Sequence, residues 1–134
     1  MTSIQVADEM FVAAAPELAA DVVGDRGSWR RWWPDLRLDV TEDRGIAGVR
    51  WKVAGELDGT MEIWCEPVLD GFVLHYFLHA EPAARSEQTI ESLAALNHRF
   101  RVRGKKVSFE IKDRLESGRD IGDRAVAGAQ GTGG

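Results

Sequence analysis

The sequence predicts an α+β domain: a curved antiparallel sheet of about five strands, two short helices after the first strand, and a long C-terminal helix laid against the sheet. Three observations lead there. Between residues 36 and 80, apolar and polar residues alternate in four runs divided by turn dipeptides, the period of half-buried strands. From Leu93 to Leu115 the apolar residues instead recur every three or four positions, one stripe of a helix. At 134 residues the chain has the length of one domain. A chain of that size buries roughly two-thirds of the surface its unfolded form exposes, enough for one core.

Taken in order, Ile4 to Ala13 reads as a strand, with Val6, Phe11 and Val12 as its apolar residues. Pro16 suits the first turn of a helix that runs to about Val23 and stops at Gly24. Ser28 is a good N-cap for a second short helix through Trp33, which Pro34 ends. The strand-like runs are Leu36 to Thr41, Val49 to Gly55, Thr60 to Glu66 and Phe72 to Ala80, the last terminated by Pro82. Asp58-Gly59 and Asp70-Gly71 are hairpin signals. Ser86 can cap the long helix from near Glu87, whose stripe is Leu93, Leu96, Phe100, Gly104, Val107, Ile111 and Leu115. A rival reading folds Arg99 to Arg103 and Lys106 to Ile111 into two strands about Gly104-Lys105. The helix is preferred because the stripe continues on both sides and Glu110 with Arg114 forms an i,i+4 pair. Gly118 ends the helix, so the domain spans 1–118. Residues 119–134, rich in glycine and alanine with little to bury, read as a disordered tail.

Turn lengths decide which side chains share a face. A two-residue turn at Asp70-Gly71 pairs Cys65 with Tyr76 and Ile63 with Leu78. A three-residue bulged loop at Asp58-Gly59 pairs Val53 with Ile63 and Trp51 with Cys65, and places Arg50 and Lys52 with Glu62 and Glu66. The inner face is then Val49, Trp51, Val53, Met61, Ile63, Cys65, Leu74, Tyr76 and Leu78. The outer face holds Glu62 beside His79, Glu66 beside His75, and Trp64 beside Phe77. The helix stripe must bury itself on the inner face. Gly104 on that stripe favours close helix–sheet contact over space for a ligand.

A net charge of -5 and a pI near 5.2 argue against a dedicated nucleic-acid binder. Cys65 is the single cysteine, which excludes a disulfide framework and a thiolate metal cluster. His75 and His79 lie roughly 13 Å apart along one strand face, and His98 is on the helix, so no zinc spacing is present. No glycine-rich phosphate loop, P-loop or hydrolase elbow marks a cofactor site or a serine nucleophile. The N-terminus does not read as a signal peptide and no apolar run approaches the ~20 residues of a membrane span, so a cytoplasmic protein is expected. Five tryptophans against one tyrosine is the unusual feature, and large rings line apolar pockets as well as cores.

Three segments in a fixed order carry a family resemblance: the strand ending Phe11-Val12-Ala13-Ala14-Ala15-Pro16; Asp25 followed by Trp29, Trp32, Trp33 and Pro34; and Lys112-Asp113-Arg114-Leu115-Glu116 at the helix end. Over about residues 1–118 the chain resembles the SRPBCC or START-like helix-grip superfamily. That group includes START-like lipid-binding domains, the plant pollen-allergen fold and polyketide cyclase/dehydrase-like proteins. It departs from the usual six or seven strands, since five are read here. The resemblance implies a cavity between sheet and helix for a hydrophobic or aromatic molecule, lipid or polyketide-like. Trp32, Trp51, Ile63, Cys65, Tyr76, Leu78, Phe100 and Gly104 would line it, with no cofactor. An enzyme of the polyketide cyclase/dehydrase type is the alternative, using Tyr76, or Glu66 with His75, for proton transfer; surface pairing is the reading favoured for the Glu/His pairs. The third reading is an interaction module in which Trp64 and Phe77 make a homodimer contact. The basic run Arg99, Arg101, Arg103, Lys105, Lys106 reads as a solvated helix face.

Overall fold

A computed structural model describes residues 3–117 and 124–127. Strand β1 (Ile4–Val12) leads through a 3-10 turn at Pro16–Leu18 into α1 (Ala19–Val23) and α2 (Arg26–Trp32). Strands β2 (Leu36–Asp43), β3 (Gly48–Gly55), β4 (Leu57–Val68) and β5 (Gly71–Pro82) follow, and then α3 (Ile90–Leu115). The strands form one antiparallel sheet in the order β1-β5-β4-β3-β2. Four of them are a meander, and β1 completes the sheet by pairing along β5. Among the described residues no helix is long and apolar enough to cross a membrane.

The long helix is continuous through Gly104, so the two-strand alternative for residues 99–111 is not realised. Its cap is Thr89, not Ser86. The Thr89 hydroxyl accepts from the Ser92 N–H at 3.1 Å and the Ser92 hydroxyl accepts from the Thr89 N–H at 2.7 Å, a reciprocal capping box. Ser86 lies in a 3-10 turn at Arg85–Glu87 instead. Phe100, Gly104, Val107 and Ile111 are the buried stripe. At the second helix the start also moves. Asp25 holds the N-cap position and Ser28 is inside α2, its hydroxyl donating to Asp25 Oδ2 at 2.6 Å.

Both hairpin registers differ from the sequence expectation, and both by an even number of residues. The β3–β4 turn forms at Gly55-Glu56, where Gly55 takes φ 104°. Asp58-Gly59 is strand, paired with Glu81 and Ala80. A Cβ on Gly59 would lie 2.1 Å from the His79 carbonyl oxygen, so glycine is required there for strand approach rather than for a turn. Val53 therefore pairs with Gly59 and Trp51 with Met61. On the other side Val68 pairs with Gly71 across Leu69-Asp70, so Cys65 faces Leu74 and Ile63 faces Tyr76. Slips of two or four residues preserve the face of every side chain. Val49, Trp51, Val53, Met61, Ile63, Cys65, Leu74, Tyr76 and Leu78 are all buried, as an inner face requires.

Near the C-terminus, Ala14 and Val126 form an isolated parallel bridge. Ala15 N–H donates to Val126 O at 2.7 Å, and Val126 N–H donates to Ala13 O at 2.9 Å. Ala125 N–H also donates to Asp70 Oδ2 at 3.1 Å. Most of the segment read as a disordered tail, 119–134, lies outside the described residues.

Candidate functional site

The eight residues expected to line a cavity converge. Trp32, Trp51, Ile63, Cys65, Tyr76, Leu78 and Phe100 belong to one buried cluster, and Gly104 is buried above it on α3. At the centre is a residue absent from that set, Trp33. Its ring stacks on Tyr76 at 6.2 Å and meets Trp51 and Trp32 edge-on, each at 5.7 Å. Trp29 completes the group, edge-on to Trp51 at 5.1 Å. The signal for Trp33 is present in the sequence, four residues after Trp29 in a helix expected to run through Trp33; α2 in fact ends at Trp32, and Trp33 is its C-cap with non-helical backbone.

The polar atoms of these rings are unevenly provided for. Trp29 Nε1 donates to the Val23 carbonyl at 2.6 Å, and Trp32 Nε1 donates to Glu110 Oε2 at 2.9 Å. The indole N–H groups of Trp33 and Trp51 are buried and find no hydrogen-bond acceptor among the described residues. The Tyr76 hydroxyl has a weak acceptor, Met61 Sδ at 3.6 Å. Trp33 lies close enough to that hydroxyl to favour the phenolate slightly, but not in hydrogen-bonding geometry. Burial dominates and pushes the phenol well above its ordinary range, so Tyr76 is a neutral donor. Burial likewise pushes the Cys65 thiol up to about 12, which makes it inert as a nucleophile.

This interior is tightly closed. A Cβ at position 104 would stand 2.3 Å from Tyr76 Cε2 and 2.6 Å from Cδ2, so α3 rests directly on the tyrosine ring. Two polar clasps hold the helix there. Arg31 on α2 donates both guanidinium nitrogens to Glu110, at 2.6 and 2.5 Å. That fork, opposed by partial desolvation and aided by the Trp32 N–H, lowers the Glu110 carboxyl to about 2. At the other clasp Arg99 pairs with Glu56 and Asp35, and Arg103 donates to Asp35 at 2.9 Å. Partial burial works against the Asp35 carboxylate, yet Arg103 holds its pKa below the ordinary value. Part of the basic helix face is thus paired rather than solvated, and Lys105 joins it through Asp8 at 2.6 Å. Beside the second clasp a groove of about 490 Å³ opens between α3 and the end of β5, with Pro82, Ala83, Ala84 and Leu96 among its walls.

The Glu/His groups lie on the opposite face. Glu62 faces Phe77, not His79, and binds Arg44. Trp64 faces His75, not Phe77. Glu66 sits diagonally from His75, yet its Oε1 reaches His75 Nε2 at 3.0 Å, and Glu9 lies 3.7 Å from Nδ1. Trp64, His75 and Phe77 stack in a row, at 4.5 and 5.9 Å. The outer carboxylate–imidazole contact and the inner Tyr76 are therefore separated by the sheet.

No protein-family profile and no curated protein sequence matches the chain. Solved structures do. A polyketide cyclase-like protein of Corynebacterium glutamicum is 16% identical with TM-score 0.62, over 87% of this chain and 93% of that one. The Aha1 dimer of Colwellia psychrerythraea is 17% identical with TM-score 0.58, over 87% of this chain and 99% of that one. The di-domain ARO/CYC protein StfQ of the steffimycin biosynthetic pathway is 17% identical with TM-score 0.61, over 81% of this chain and 50% of that one. At these identities the likeness concerns architecture. With a meander closed by β1 and a long C-terminal helix seated on its inner face, the chain has the SRPBCC-like helix-grip fold.

Proposed function

We propose that the protein binds a hydrophobic or aromatic small molecule carrying a hydrogen-bond acceptor, held between the sheet and α3 against Trp33, Trp51 and Tyr76. The observation that carries this reading is the pair of buried indole N–H groups that have no acceptor among the described residues. Buried donors in native proteins are nearly always paired, and one left unpaired costs about 1–3 kcal/mol. A carbonyl or ether oxygen on a ligand would satisfy them, with Tyr76 as a third donor. The surrounding rings supply the apolar area, which contributes about 25 cal/mol per Å² before the costs of association. The groove beside α3 is the way in, because Leu96 on its wall stands one helical turn before Phe100. Filling the interior requires α3 to lift from Tyr76. The likeness to polyketide cyclase-like structures supports the reading by analogy of fold.

The test uses the tryptophan side-chain N–H resonances of 15N-labelled protein. Emodin, a hydroxylated aromatic polyketide, and palmitate are the titrants. A bound acceptor moves the Trp33 and Trp51 resonances downfield and leaves those of Trp29 and Trp32, already bonded to Val23 and Glu110, nearly in place. Shifts confined to Trp64, or none with either titrant, would sink the proposal.

A further inference from the structure

The chain carries -5 net charge, yet one of its grooves is basic. It has a volume of about 440 Å³ and lies between α2 and β2, with Arg26, Arg30 and Arg37 on its walls. None of the three makes an ion pair among the described residues; Arg26 lies over the Trp29 ring at 5.1 Å. The contrast with their neighbour is direct, since Arg31 is forked onto Glu110. Elsewhere among the described residues Arg44, Arg85, Arg99, Arg103 and Arg114 reach carboxylates; Arg50 and Arg101 make no ion pair, but neither lines this groove, which gathers three arginines together. The floor is apolar, from Trp29, Leu36 and Leu38. Strand β2 is the last in the sheet, so the backbone along its outer edge has no strand partner among the described residues.

We propose that this groove binds a phosphate monoester with an aromatic or apolar body. Guanidinium forks match phosphate oxygens, and unpaired ones give up no existing salt bridge on binding. Asp39 also lines the groove and offsets one arginine. The two that remain match a phosphate dianion, while Leu36, Leu38 and the Trp29 ring take the body. The site is separate from the interior one: Trp29 has its indole N–H bonded to Val23 and touches the interior through its contact with Trp51.

Calorimetry with 1-naphthyl phosphate tests it, with 1-naphthol as the uncharged body and inorganic phosphate as the bare charge. Binding of 1-naphthyl phosphate should weaken with salt and exceed that of either fragment. Replacing Arg30 and Arg37 by glutamine should reduce affinity at least about tenfold, since a hydrogen bond to a charged group is worth roughly that factor. The double replacement Arg50→Gln and Arg101→Gln makes the same change in net charge and should leave affinity intact; all four are exposed, so the fold is retained. Equal loss in both doubles, equal binding of 1-naphthol, or no binding at millimolar concentration overturns the proposal. So does a response of the Trp33 and Trp51 indole resonances to 1-naphthyl phosphate in place of Trp29, which would put the ligand in the interior. Because the two ligand classes report on different tryptophans, either site can fail without the other.

Discussion

Replacing Gly104 by alanine puts a methyl group where Tyr76 already is. The added carbon would stand 2.3, 2.6 and 3.1 Å from three atoms of the Tyr76 ring. The ring cannot turn aside, because it is buried and stacked on Trp33 at 6.2 Å and 11°. The remaining escape is for α3 to move outward by about 1 Å, which loosens Phe100, Val107 and Ile111 together. Overpacking of this kind costs about 1–3 kcal/mol, and three simultaneous overlaps place it at the upper end. Alanine returns about 1 kcal/mol through its better helix propensity. The net expectation is a loss of about 2 kcal/mol, or about 8 °C in Tm for a chain of this length. Urea unfolding followed by tryptophan fluorescence and by helical circular dichroism measures it. The decisive comparison repeats Gly104→Ala in a Tyr76→Leu background, where the obstructing ring is gone and the substitution should become neutral or stabilising. If Gly104→Ala stabilises the wild-type protein, or costs the same with and without Tyr76, the helix does not rest on that ring.

Two further outcomes follow from the same geometry. Glu110→Gln keeps an acceptor for Trp32 but removes the charge that Arg31 forks, and should cost about 1 kcal/mol at pH 7, a value kept low because the pair is partly exposed to solvent. The folded-state pKa of Glu110, about 2, is below its ordinary 4.5, so its stabilisation is present above pH 4.5 and is lost as pH falls towards 2. Acid unfolding curves of the variant should therefore be flatter than wild type across that window; parallel curves would remove Glu110 from the account. Cys65, buried with its thiol raised to about 12, should resist Ellman's reagent at pH 8 and react at once in urea. Rapid labelling of the native protein would show that the β4 inner face opens on its own.

Much of the fold could be read from local pattern. Alternation along β2 to β5 and the three-to-four spacing on α3 survive any local misjudgement, because each is repeated over many residues. Turn placement did not survive, and the reason is specific. Asp58-Gly59 has the composition of a hairpin turn, but Gly59 is needed where β4 passes close to His79 and Ala80 on β5, a contact with a strand that comes later in the chain. Thr89 displaced Ser86 as the cap for a similar reason: both can cap, and Thr89 alone has Ser92 three residues on to return the bond.

The inner-face membership and the aromatic character of the interior were determined by sequence alone, since face depends only on the parity of the register and both registers slipped by even steps. Tertiary structure decided everything that depends on distance between remote segments. It put Trp33 at the centre of the cluster and left two indole N–H groups without acceptors among the described residues. It brought Arg31 to Glu110, and it gathered Arg26, Arg30 and Arg37 into one groove without an ion pair among the described residues. A sequence states which charges and rings exist; whether a given one finds its partner depends on which strands and helices pack together, and that is settled only when the whole core closes.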